Sequence, residues 1–431
     1  MSDLSAQLAA ELPANFESGP QWLNALRDTG AEHFRKHGLP SRKDEAWKYT
    51  TLTKLDQGGV RLAGISEHSG PVVSPPSPLI ETDHQVNMLD GRFEEQPGRL
   101  PAGLTVLPLA VAMNDPVKGL RSLLESLVDK RPGGSSSDGF SALNSATLES
   151  GLLVHVAAGT DAGILSLTWS TREGAGPLLF NSRVCVILEQ DAKLEILEQF
   201  ESGNANTSNV VVQAELGDNA RLHHIRFQQE SDQAVLITRT VVRQQTASEY
   251  AYYGFDLGGG LVRHELHSSL QGQAAKSSIN GAYLLDGHRH VDNHARVDHE
   301  APGGFSEQYF RGVAGGNGRA VFNTAVCVHP GADDTEARQS NANILLSRRA
   351  EVDTKPELEI YADEVIASHG ATVGQLDEQA VFYMRSRGLS EQQARQLLTT
   401  AFCQSVSDKL TDPVLRGVIS QRMMDVMPQA E

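Results

Sequence analysis

The chain has 431 residues, 39% hydrophobic and 21% charged, a balance that suits two or three folded domains or one long solenoid and excludes wholesale disorder. Its net charge of −17, from 37 basic against 54 acidic residues, argues against nonspecific binding to nucleic acid or to an anionic membrane, because neutralising phosphate needs a basic face. The opening "MSDLSAQLAAELPANF" has no basic stretch followed by an apolar run, and no segment approaches the roughly 18 apolar residues of a membrane helix, so a cytoplasmic location is expected.

In chain order, "LNALRDTGAEHFRKHG" places Leu23, Leu26 and His33/Phe34 at helical spacing, with Gly38 closing the run. "SGPVVSPPSPL" (69–79) and "RPGGSSSDG" (131–139) are too rich in Pro, Gly and Ser for regular structure, and the second reads as a linker. From about 141 to about 370, β-prone runs such as "LLVHV", "VCVIL", "NVVVQAEL", "AVLITRTVV" and "AVFNTAVCV" alternate with Gly, Asn and Asp turns. Ala192, Ala220, Ala247 and Ala275 recur at intervals of 28, 27 and 28, the signature of stacked solenoid rungs. A parallel β-helix fits best, ahead of a sandwich or barrel. Beyond Gly374 the pattern turns helical. Asp377 caps "EQAVFYMRSR" and Gly388 ends it; Ser390 and Gln393 form a capping box; Thr411 or Asp412, with Pro413 behind it, starts a last helix. Ala394, Leu397, Leu398, Ala401, Phe402 and Val406 are expected on one apolar stripe. The domains are therefore read as 1–140, N-terminal, helical, with flexible segments; 141–372, β-helix; and 373–431, C-terminal, helical.

Among chemical candidates, "GHRHVDNHARVDHE" (287–300) holds His288, His290, His294 and His299. On a strand, alternation puts His288, His290, Asp292 and His294 on one face, with Val291, Ala295 and Val297 facing the core. His-x-His on a strand suits zinc or iron, but the favoured reading is a solvated polar rung face. Cys185, Cys327 and Cys403 are scattered, with no Cys-x-x-Cys; they cannot hold a cluster by cysteine alone, and Cys327 and Cys403 read as buried, inert thiols. There is no P-loop, no Gly-x-Ser-x-Gly and no His-Glu-x-x-His, and "DLGGGLV" (256–262) reads as a turn. Arg385 and Arg387 read as a solvated helix end. A carbohydrate-active β-helix enzyme, or a histidine-rich metal-binding protein, is the alternative to a scaffold. The 6% aromatic content and the lack of a carboxylate pair weigh against the enzyme.

"EVDTKPELEIYADEV", "SHGATVGQLDE" and "FYMRSRG", with "RKDEAWKYT" near the N-terminus and "VFNTAVCVHPGADDTEARQSN" upstream, closely resemble the SufB/SufD family of the Suf iron–sulfur cluster assembly machinery, and within it the SufD type. The resemblance runs from about residue 40 to about 405. It implies a right-handed parallel β-helix flanked by N- and C-terminal helical domains, in a scaffold that is not an enzyme. It implies SufB as heterodimer partner and the ATPase SufC docked on the C-terminal helices, for which Phe382, Tyr383, Arg385, Arg387, Leu397, Leu398 and Phe402 are the candidate partner-binding residues. No cofactor is expected on the isolated chain, only a transient iron–sulfur cluster in the complex; pairing with a second copy in isolation stays open. His369 matches the histidine the family places at the interface with SufB, as an iron ligand or proton carrier. Some relatives carry a cysteine two residues earlier; here it is Ala367, which shifts the demand for a thiolate onto SufB.

Overall fold

The computed structural model describes residues 2–13, 19–63, 76–82, 84–94, 98, 100–127, 139–172, 177–203 and 205–428. Most of the Pro/Ser-rich segment (69–75) and of the Gly/Ser linker (131–138) lies outside them.

The chain opens with α1 (Asp3–Glu11), α2 (Gln21–His37), a single 3-10 turn (Glu45–Trp47) and α3 (Thr53–Gly58). Strands β1 (Arg61–Leu62), β2 (His84–Leu89), β3 (Arg92–Phe93) and β4 (Leu104–Pro108) follow, then α4 (Leu109–Ala112), α5 (Leu120–Glu125) and α6 (Gly139–Ala146). From Gly151 onward strands follow one another and are dealt alternately to two sheets. One sheet takes β5 (Gly151–Val156), β7 (Leu178–Leu188), β9 (Thr207–Leu216), β11 (Val235–Gln244), β13 (Leu261–Leu270), β15 (His290–His299), β17 (Arg319–Val328) and β19 (Glu351–Ile360). The other takes β6 (Asp161–Ser170), β8 (Lys193–Phe200), β10 (Arg221–Gln228), β12 (Glu249–Asp256), β14 (Lys276–Leu285), β16 (Phe305–Ala314), β18 (Glu336–Leu345) and β20 (Ile366–Gly374). Each strand pairs in parallel with the strand two further on. That is a parallel β-solenoid with flanking helices, as the sequence texture suggested.

Two details differ from the sequence reading. The stretch expected to be helical up to residue 140 also contributes strands: β2 adds to β6 in parallel, and β4 closes the β5 edge in antiparallel. The alternation there is too short and too interrupted by Pro and Gly to stand out. The alanine repeat is also one position off at its third member. Register aligns Ala220 with Ser248 and Ala275, whereas Ala247 sits one step earlier at φ 54, beside the equivalent Asp191, Asn219 and Ala274. A left-handed residue at each such turn, followed by a small buried one, lets the chain turn sharply into the next strand.

Leu, Val and Ala side chains from both sheets fill the solenoid. Helices cover part of each of its two outer faces. α1, α2 and α6 pack with Leu179, Val235, Ile237 and Leu261 on the odd-strand face. The C-terminal helices α7 (Glu378–Ser386), α8 (Glu391–Ser407) and α9 (Pro413–Asp425) pack with Ile225, Phe227, Phe255, Leu257 and Leu284 on the even-strand face. Their starts are those expected: Asp377 and Asp412 accept from the first-turn amides, and Ser390 with Gln393 makes both bonds of a capping box. In the turn after β12, Gly258 and Gly260 lie so close to the Glu230 and Asp232 carbonyls that a side chain would collide with them, so "DLGGGLV" is the tight turn expected. Among the described residues no helix is long and apolar enough to cross a membrane.

Candidate functional site

Both sheets end at the C-terminal side on long strands. Among the described residues β19 pairs only with β17, and β20 only with β18. Around this last rung Tyr361 (62%) and Ile366 (68%) are exposed, as are Ile360 at the end of β19 and Val373 at the far end of β20. At the opposite side the sheets end on the short antiparallel β3 and β4.

His369 lies on β20 in register with Gln339. Gln339 reaches across the solenoid to Thr324 Oγ1 (3.2 Å) and the Glu357 carbonyl (3.4 Å) of the other sheet. Parallel partners in register share a face, so His369 is on the interior side, at an end that no further rung covers, and it is exposed there. Below it one column runs through the sheet: Gln339, Gln308, Ile279, Tyr252, His224, Ile196. Ala367 aligns with the buried Ala337.

The same interior holds a polar network that sequence reasoning missed. His224 Nε2 donates to Glu198 (2.7 Å) and its Nδ1 accepts from Tyr250 (3.1 Å). Trp169 Nε1 donates to the other Glu198 oxygen (3.2 Å). Arg226 donates to the Tyr252 hydroxyl (2.8 Å) and to Asp256 (2.7 Å), and Asn293 donates to Asp256 (3.1 Å). Burial works against the Arg226 charge, but Asp256 and Tyr252 outweigh it and hold the guanidinium above its usual range. Burial, with Arg226 and His224 nearby, keeps His264 well below the usual histidine value. Burial raises the Glu230 carboxyl to about 7. The signal was present in "RLHHIRFQ", where polar residues take the inward parity, but alternation alone reads such a face as solvated.

The histidine-rich stretch is not the solvated face expected. His290 and Asp292 do point outward from β15, but the N-terminal "RKDEAWKYT" segment lies over them. The Thr50 hydroxyl donates to Asp292 (2.5 Å), and His290 Nε2 lies 3.0 Å from the same hydroxyl, so it is the donor there. Arg263 pairs with Asp292 and lies under the Trp47 ring, 3.9 Å from its centroid. His294 bonds Asp292 (2.8 Å). Burial, only partly opposed by Asp292, lowers His290 to about 4. Burial disfavours the Asp292 charge, but Arg263 and His294 outweigh it and hold the carboxyl well below the usual range. His299 faces the interior and bonds Ser306 (2.8 Å), while His288 lies in the exposed turn before β15. The four histidines thus serve three different environments.

On the C-terminal helices Phe382 (71%), Tyr383, Arg385, Arg387 and Leu397 are exposed. Arg387 donates to the Tyr383 hydroxyl (2.9 Å), and Arg385 pairs with Glu391 (3.3 Å). Leu398 and Phe402 are half-buried against the core shared by the helices and the solenoid, so the expected stripe splits: Ala394 and Val406 lie innermost, with Cys403 between them, while Leu397 and Ala401 face out. Burial raises the Cys185 and Cys403 thiols to about 12. Cys327 is buried as expected and raised to about 11, first by burial and then by Asp298, yet it is not isolated: Asp298 and His329 bring ligating atoms to it within 4.8 Å.

Comparison with known proteins gives these features a context. Residues 170–402 match the family model described as SUF system FeS cluster assembly, SufBD core domain, and residues 12–64 match the SufBD protein N-terminal region. The chain is 30% identical over 399 residues to an iron–sulfur cluster assembly SufBD family protein of Synechocystis, covering 89% of this chain and 86% of that protein. It is 28% identical over 435 residues to the iron–sulfur cluster assembly protein SufD of Escherichia coli, covering 97% and 99%. It is also 28% identical over 424 residues to the chloroplastic protein ABCI7 of Arabidopsis thaliana, covering 95% and 88%.

Proposed function

Since the chain belongs to the SufBD family of the SUF system for iron–sulfur cluster assembly, we propose that it is the SufD-type scaffold subunit of a cytoplasmic SufB–SufC–SufD complex and catalyses no reaction itself. The observation that carries this reading is the C-terminal end of the solenoid, where two long strands with one open edge each, exposed apolar residues and His369 occupy the same last rung. An open strand edge is a template for a second chain, and an exposed apolar rim marks a protein contact. SufB is the partner assigned to that end.

In this arrangement the nascent cluster is cargo held between the two subunits. His369 supplies an imidazole nitrogen to iron, and because Cys185 and Cys403 are fully buried and Cys327 lies elsewhere, the thiolate at that interface comes from SufB. The exposed face of α7 and α8, with Phe382, Tyr383, Arg385, Arg387 and Leu397, is assigned to the ATPase SufC; Leu398 and Phe402 hold that face on the solenoid. Co-expression with SufB and SufC tests the reading. The three chains are expected to co-purify and accumulate cluster, while the chain alone stays colourless and hydrolyses no ATP. Failure to associate, or a cluster stably held by the chain alone, refutes it.

A further inference from the structure

We propose that Asp298, Cys327 and His329 form a binding site for one divalent transition-metal ion on the outer face of the odd-strand sheet, on the sheet opposite to that of His369. The site follows from strand stacking. Asp298 of β15 and Cys327 of β17 are in register, so adjacent-strand spacing, about 4.8 Å, sets their side chains next to each other. His329 directly follows β17, its backbone N–H bonded to the His299 carbonyl (2.9 Å), and its Nε2 lies 3.1 Å from Asp298 Oδ1. All three ligating atoms are within 4.8 Å of one another. The carboxylate is oriented by two further groups: Arg296 donates to both oxygens (2.8 and 3.0 Å), and His267 Nε2 bonds Oδ2. Glu359 aligns with Cys327 on the next strand.

A thiolate, an imidazole and a carboxylate together select borderline first-row ions such as Fe²⁺ or Zn²⁺ over Mg²⁺ or Ca²⁺, which take oxygen donors alone. Binding releases the Cys327 thiol proton to solvent. The ion takes the place of the hydrogen between His329 Nε2 and Asp298, with His329 moving its proton to Nδ1. Nothing in this site rests on the partner assignment above.

The test is Co²⁺ titration of the full chain after chelator treatment. One Co²⁺ per chain is expected, with a thiolate-to-cobalt charge-transfer band that Zn²⁺ abolishes. Cys327→Ser removes the band, Cys403→Ser leaves it, and His329→Ala weakens binding at least ~10-fold. The half-exposed His329 side chain (42%) makes its variant the one safest for folding, as circular dichroism would verify. Absence of stoichiometric binding, a band that survives Cys327→Ser, or unchanged affinity in His329→Ala overturns the site.

Discussion

His369 separates two kinds of importance at the level of single side chains. It is exposed and makes no packing contribution that a rung depends on, so His369→Ala should leave the melting temperature nearly unchanged, within the ~0.5 kcal/mol usual for surface positions. Cluster assembly by the full complex should fall ~10–100-fold, in line with what loss of ligand-sphere groups does to metal sites. A variant that melts much earlier and loses its partner would make the residue structural. Arg263 is the opposite case. It is fully buried between Asp292 and Trp47, so Arg263→Met strands a buried carboxylate and should cost roughly 3–5 kcal/mol in denaturant unfolding. The same cluster fixes an acid response with two steps. His290 has its folded value lowered to about 4 from 6.5; the unfolded chain therefore takes up a proton first, and stability is lost as pH falls from about 6.5 to 4. Asp292 is held below its unfolded value, so its contribution is present above that value and is lost as pH falls further. Melting temperatures across pH 7 to 4 should drop less in His290→Asn than in the wild type; an equal drop would assign the acid loss to other groups.

Helix starts were the most legible elements, because a cap and its first turn are local: Asp377, Ser390 with Gln393, and Asp412 with Pro413 all stand where their spacing places them. The strand texture and the rung period were legible for the same reason. What could not be read was anything depending on residues far apart in the chain. Trp47 covers Arg263 of β13 and Thr50 covers Asp292 of β15, each across more than two hundred positions, and no local pattern announces that. Nor does alternation reveal which polar face is inside, so the Glu198–His224–Tyr250 network stayed hidden. The C-terminal helices show the practical effect. Leu415, Ile419 and Met423 are buried in one cluster with solenoid residues Phe227 and Phe255, so deleting residues 389–431 should destabilise the sheet it uncovers and would not isolate ATPase docking. Surface changes are the cleaner probe. Phe382→Asp with Leu397→Asp should weaken SufC capture at least tenfold with unaltered melting, whereas Ile419→Ala should cost about 2–5 kcal/mol. Capture that survives the double surface change would move the ATPase contact elsewhere.

Over the whole molecule the two ends of the solenoid are unequal. The N-terminal end finishes on β3 and β4, short and antiparallel, which blunts an edge; the C-terminal end offers β19 and β20 at ten and nine residues. Tyr361→Asp with Ile366→Asp should abolish co-purification with SufB while leaving the monomer folded, and retained pairing at micromolar concentration would point to a different face. The asymmetry also limits stoichiometry. A solenoid open at both ends would stack copy on copy into a fibre, since each addition would expose a fresh edge of the same kind. With the other end blunted among the described residues, a first association through β19 and β20 would consume both long edges and leave the next nothing to grow from. On the pairing proposed above, the ladder that builds the fold would thus be kept from becoming a filament, and assembly through this end would terminate at two.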